Sequence, residues 1–246
     1  MASGIASVYI SSSGGSLYWA AWLVLLSTLL DKADGSVARL IKGSSEFGVQ
    51  FDSLADNIAF GLAPAALIFA AAQRLSPLAW GEGVRLFGFS AVGVLACICL
   101  TYAILTSVRL ARFNVMTADL GPSLFLGLPS TLSGGLICSA FLTLDELHLG
   151  SPSLYQLFPW LLALNAALMV SNLPLPKLHI SAHPIAKWLQ ILAGVLVYAS
   201  VLARMGFAFV LLLLLGYLAL GFIWLGPRMW RDRMLVIAQE KGSGPA

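Results

Sequence analysis

Seven apolar runs, each close to the length of a bilayer crossing, limit what this chain can fold into. They cover roughly residues 17–41, 52–73, 87–108, 123–144, 154–171, 187–203 and 206–225. A helix needs about 20 apolar residues to span about 30 Å of hydrocarbon. Most of the runs reach that length, and 154–171 and 187–203 sit at its short end. In lipid only helices and closed barrels satisfy their own backbone groups. A barrel would need short alternating segments, and these runs do not alternate. The chain is 59% hydrophobic and 10% charged, far from a soluble globular composition. The sequence thus predicts an all-α, polytopic integral membrane helical bundle forming a single domain over 1–246. It should have about seven full transmembrane helices plus a partial or truncated first one.

Basic residues between the runs predict orientation. One side receives Arg39, Lys42, Arg109, Arg112, Lys177, Lys187, Arg228, Arg231, Arg233 and Lys241, and the other only Arg74, Arg85 and Arg204. Lys32 lies inside a run. The richer side is assigned to the cytoplasm of a cell (inner) membrane, which places the 226–246 tail there. Residues 2–13 are mildly apolar but too short to span, so 1–16 is read as the outer part of a first helix and its loop. No cleavable leader is evident. Cys97, Cys99 and Cys138 lie in apolar runs without metal-type spacing and read as packing residues. Trp19, Trp22, Trp80, Trp160, Trp188, Trp224 and Trp230 fall mostly near run ends, as an interfacial belt would.

Four carboxylates interrupt this pattern, in Asp31-x2-Asp34-Gly35-x2-Ala38-Arg39-x8-Gly48-x3-Asp52-x3-Asp56. An ionised Asp at the bilayer centre costs about 2.5–3.5 kcal/mol on insertion scales, so four together call for a compensating cation. Residues three or four apart share a helix face. Asp31, Asp34 and Ala38 therefore align, as do Gly48, Asp52 and Asp56. A hairpin closing at Lys42-Gly43-Ser44-Ser45 would set Asp34 level with Asp52 and Asp31 level with Asp56. At about 1.5 Å per residue, the acids would lie roughly 13–18 Å from the turn. Hard oxygen ligands suit Mg²⁺, Mn²⁺ or Ca²⁺ rather than Zn²⁺. Gly35, Ala38 and Gly48 remove bulk beside them. As ordinary loop or helix-end residues, four acids in register would have no explanation.

These eight positions over 26 residues resemble the signature of the CDP-alcohol phosphotransferases, integral membrane enzymes of phospholipid synthesis. Ser107-Val108-Arg109-Leu110-Ala111-Arg112-Phe113-Asn114 resembles the Arg-Leu-Ala-Arg-Phe-Asn motif of the family's phosphatidylserine synthase branch. Phe125-Leu126-Gly127-Leu128-Pro129 and Met169-Val170-Ser171-Asn172-Leu173-Pro174 look like two later motifs of that branch. The resemblance implies transfer of a phosphatidyl group from CDP-diacylglycerol to L-serine, releasing CMP. It implies Asp31, Asp34, Asp52 and Asp56 holding Mg²⁺ or Mn²⁺, with two ions per site, and Asp56 as general base. Asp31, Gly35, Ala38, Arg39, Gly48 and Lys42 would meet the nucleotide and pyrophosphate. Arg109, Arg112 and Asn114 would meet the serine or a lipid phosphate. By analogy the protein is a homodimer, in contact with membrane lipids and with no nucleic acid partner.

Blander readings stand beside these. Arg109 and Arg112 could be snorkelling anchors, and Arg39 and Lys42 topology markers. Lys32 could form an ion pair with a helix neighbour. His179 and His183 share a spacing seen in metal sites, but prolines 174, 176 and 184 surround them, which favours a cytoplasmic loop. The acceptor could instead be glycerol 3-phosphate or inositol phosphate, and the donor an archaeal ether lipid. A cation transporter would spread its acids through the membrane depth rather than gather them in one hairpin.

Overall fold

The computed structural model describes residues 1–41, 46–120, 124–176 and 184–225; the side chains of 33–41, 46, 49, 116–120, 124, 125, 184, 186, 224 and 225 lie outside that description. Helices dominate. In chain order they are α1 (Ala2–Ser12), α2 (Leu17–Ile41), α3 (Glu46–Asp56), α4 (Ala63–Leu75), α5 (Pro77–Trp80), α6 (Ala91–Leu120), α7 (Ser130–Glu146), α8 (Pro152–Tyr155), α9 (Phe158–Val170), α10 (Pro184–Ala203) and α11 (Phe207–Ala219). A π-turn over Asn57–Leu62 joins α3 to α4, and a second follows α11 over Leu220–Leu225. Among the described residues, three helical stretches are long and apolar enough to cross a membrane: Gln50–Leu75, Ala91–Val115 and Pro152–Val170. Two shorter apolar helices, Lys187–Ala203 and Phe207–Ile223, accompany them. These are the marks of a helical membrane protein.

Two small ribbons depart from a purely helical reading. The first pairs β1 (Arg85–Leu86) with β2 (Phe89–Ser90), and the second pairs β3 (Leu124–Leu126) with β4 (Pro174–Pro176), both antiparallel. The β3–β4 ribbon splits the apolar run at 123–144, so that α7 starts only at Ser130. Gly127, at φ +75°, and Pro129 make the break. In β4 the prolines leave only Leu175 with an N–H to offer, opposite Phe125.

The bundle closes through small residues and polar tips. α1 buries Gly4, Ser7 and Ser11 on one face. A Cβ on Gly4 would stand 2.8 Å from Ala59 Cα, so the two backbones touch as small residues allow in membranes. Ser7 Oγ donates to Ala20 O at 2.8 Å, Trp22 Nε1 to Val201 O at 2.7 Å, and Tyr198 Oη to Leu29 O at 3.2 Å. Glu146 receives Gly206 N and Phe207 N at 2.6 and 2.8 Å, placing an anion on the N-terminus of α11. The central core gathers Phe60, Leu67, Ile68, Leu95, Tyr102, Ile137, Leu142, Leu162 and Met169. This core joins the π-turn, α4, α6, α7 and α9, and the candidate site lies beside it, where α3 leaves the π-turn.

Candidate active site

Asp31 stands on α2, and Asp52 and Asp56 stand one turn apart on α3. The structure brings the three together: one carboxylate oxygen from each lies within 4.8 Å of the others. Oxygens on opposite sides of a bound Mg²⁺ or Ca²⁺ are about 4–5 Å apart, given bonds of about 2.0–2.6 Å. The donor set and its spacing therefore fit a divalent cation. Asp31 and Asp56 are half-buried and Asp52 is exposed, so the cluster opens on one side. Asp56 lies in the field of both other acids, opposed by Arg109 and by the chain's N-terminus.

Of the other signature residues, Gly48 sits on α3 one turn before Asp52 and is exposed. Asp34, Gly35, Ala38 and Arg39 continue α2 beyond Asp31, but their side chains lie outside the described residues. So does Lys42 altogether, with His179 and His183.

On α6 a polar stripe faces the π-turn and α7. Arg109 is buried, donates from Nη1 to Ser130 Oγ at 2.8 Å, and lies 5.3 Å over the Phe113 ring. One turn deeper, Thr106 bonds back to Tyr102 O at 2.8 Å. The Tyr102 hydroxyl reaches Phe60 O at 2.9 Å and Ser133 Oγ at 3.1 Å. Sequence reading missed Tyr102, Ser130 and Ser133; the available signal was polar side chains recurring inside apolar runs.

Arg112, three residues beyond Arg109, is employed differently. Its Nη1 donates to Val170 O at 2.9 Å and Asn172 Oδ1 at 3.3 Å. Its Nη2 donates to Leu126 O at 3.1 Å and Ser171 O at 3.0 Å. A cation at the C-terminal carbonyls of α9 is favourably placed in the helix field. Gly127 fits the same knot. Its N–H donates to Leu173 O at 2.8 Å, and a Cβ there would stand 2.4 Å from Met169 O. The segments 125–129 and 169–174, far apart in the chain, thus meet around one guanidinium. The phosphate or carboxylate expected of Arg112 finds its terminal nitrogens already taken by four protein oxygens. Asn114 is exposed and donates from Nδ2 to Ser53 Oγ at 3.0 Å, tying α6 to the acid-bearing α3. Cys97, Cys99 and Cys138 are free thiols.

Residues 1–175 match the protein family described as CDP-alcohol phosphatidyltransferase. The chain is 34% identical over 174 residues to the CDP-diacylglycerol–serine O-phosphatidyltransferase of Helicobacter pylori, an alignment covering 71% of this chain and 67% of that one. It is 29% identical over 171 residues to the enzyme of the same name from Bacillus subtilis, covering 68% and 78%. Similarity to the archaetidylserine synthase of Methanothermobacter thermautotrophicus is 38% over 146 residues, covering 57% and 53%.

Proposed function

The chain belongs to the CDP-alcohol phosphatidyltransferase family, and from that premise we propose that it transfers the phosphatidyl group of CDP-diacylglycerol to L-serine, giving phosphatidylserine and CMP. One observation carries the reading: carboxylates from two separate helices bring their oxygens within 4.8 Å of one another in a chain otherwise built for lipid. Asp31, Asp52 and Asp56, joined by Asp34, would hold one or two Mg²⁺ or Mn²⁺ ions. Such ions supply charge neutralisation for a pyrophosphate and its leaving group.

The residues of this chain do the rest. Asp56 takes the proton from the serine hydroxyl as the serine oxygen bonds to the phosphatidyl phosphorus. The bond from that phosphorus to the bridging oxygen breaks, and CMP leaves with the bond's electron pair. A carboxylate beside metal is a weak base, so its contribution is mostly positioning, with proton transfer late. Gly35, Ala38, Arg39, Gly48 and Lys42 meet the cytidine nucleotide and its phosphates. Arg109 meets the serine carboxylate: it lies in the field of Asp56 and is held in place by its bond to Ser130. Asn114 braces α3, and Arg112 holds the scaffold. The protein crosses the inner membrane about seven times as a homodimer, with the site opening to the cytoplasm.

Purified protein with CDP-diacylglycerol, labelled serine and Mn²⁺ should release CMP in proportion to serine incorporated into lipid. CMP release with glycerol 3-phosphate or inositol phosphate, and none with serine, would overturn the acceptor. An ether-linked donor is a second reading, favoured by the 38% identity to an archaetidylserine synthase; offering both donors to the same preparation separates them.

A further inference from the structure

The acid-bearing α3 does not run into α4 as one regular helix. Ala63 N–H bonds back five residues to Ile58 O rather than four, across the π-turn Asn57–Leu62 that starts directly after Asp56. The cause is local. A regular helix would return the N–H of residue 64 to Phe60 O, and residue 64 is proline, which has no N–H and whose ring clashes with that carbonyl. The turn widens by one residue, as π-turns do, often at functional sites. One residue of register is about 100° of rotation around a helix with 3.6 residues per turn. With α4 locked in the core, the extra residue decides which face of α3 meets α2.

Something must keep the turn wide. The Tyr102 hydroxyl, on a wholly buried side chain, donates to Phe60 O at 2.9 Å and is itself partnered by Ser133 Oγ at 3.1 Å. The turn is tight against its neighbours on three sides. A Cβ on Gly61 would meet Thr106 Cβ at 3.1 Å, one on Gly134 would meet the Phe60 ring at 3.2 Å, and Gly4 lies against Ala59.

We propose that Tyr102 and Pro64 are positioning residues for the acid cluster: proline denies Phe60 O its helical donor, the tyrosine hydroxyl replaces it from α6, and the π-turn so held aims Asp52 and Asp56 at Asp31. The inference rests on the reading of the cluster as a metal site.

The test uses Mn²⁺ alone, titrated by electron paramagnetic resonance into full-length protein in nanodiscs, with thermal unfolding on the same samples. Tyr102→Phe strands Phe60 O, so melting falls and Mn²⁺ affinity drops about tenfold, the lower end of what outer partners of metal ligands cost. Adding Pro64→Ala restores a donor to Phe60 O, and the turn relaxes to a regular helix. Melting recovers in this double variant while Mn²⁺ binding weakens further. A merely structural tyrosine would make affinity follow stability. The proposal is overturned by a Tyr102→Phe protein that binds Mn²⁺ like the unaltered chain, or by a double variant whose affinity returns with its melting temperature. If Tyr102→Phe alone does not fold, the folded double variant decides in the same way. Serine-dependent CMP release by the unaltered protein is measured in parallel. Its absence with Mn²⁺ binding intact would sink the proposed reaction and leave this inference standing.

Discussion

Two places in this apolar chain concentrate charge, and they resolve it in opposite ways. At the Arg112 knot a single guanidinium meets four oxygens supplied by the protein, three of them main-chain carbonyls. The charge is satisfied and the assembly is complete. At the acid cluster three carboxylates converge within 4.8 Å, so like charges face one another, with Arg109 and the chain's N-terminus among the opposing charges at Asp56. A divalent cation between the acids would offset that repulsion. The contrast separates two uses of charge in one apolar bundle: a cation ringed by protein oxygens holds the scaffold, and like charges gathered at one point mark the candidate site. Arg109 and Arg112, three residues apart on one helix, fall on opposite sides of that division.

Substitutions can break or sharpen the contrast. The largest effect is expected at the cluster. Asp52→Asn removes one metal-facing charge and should lower serine-dependent CMP release about 10³-fold, about 4 kcal/mol of transition-state stabilisation, with the melting temperature held or raised because repulsion is relieved. A melting temperature that falls in step with activity would make the cluster part of the scaffold. Arg112→Ala should do the reverse. It should cost about 1.5–3 kcal/mol of stability, read in thermal unfolding, while KM for serine stays within about threefold in whatever fraction folds. Arg112→Lys should not rescue it, since a point ammonium cannot bridge the four acceptors of a planar fork. A large serine KM effect without loss of stability would return Arg112 to the substrate.

Gly127→Ala tests the same knot from the other side. The positive φ costs about 1–2 kcal/mol for a residue with a Cβ, and the Met169 carbonyl stands where that Cβ would go. Melting should drop with no change in metal requirement. The smallest effect belongs to Ser130→Ala, which frees Arg109 from its hydroxyl partner. A change of about threefold to tenfold in serine KM, about 1 kcal/mol, should come with a smaller fall in melting temperature than Arg112→Ala gives, since Arg109 keeps its place over the Phe113 ring.

The sequence carried the acid cluster because its information is local. Spacings of three and four residues place side chains on one helix face, and a hairpin brings two such faces together without reference to the rest of the chain. The apolar helical character was legible for the same reason: α2 occupies residues 17–41 as read, and three membrane-length helices stand among the described residues. Long-range structure was not. The acceptors of Arg112 lie 14 to 60 residues away and are mostly main-chain oxygens, which have no sequence signature. The β3–β4 ribbon joins two segments that hydropathy alone assigns to helices or loops. The π-turn after Asp56 could have been suspected from Pro64, but its brace on Tyr102 depends on how α6 packs.

Crystals soaked in Mn²⁺ and measured at the manganese absorption edge test the account most directly. It predicts an anomalous peak within bonding distance of carboxylate oxygens from Asp31, Asp52 and Asp56 together. A map with no peak between those side chains, or with manganese bound elsewhere while the three acids point apart, would contradict it.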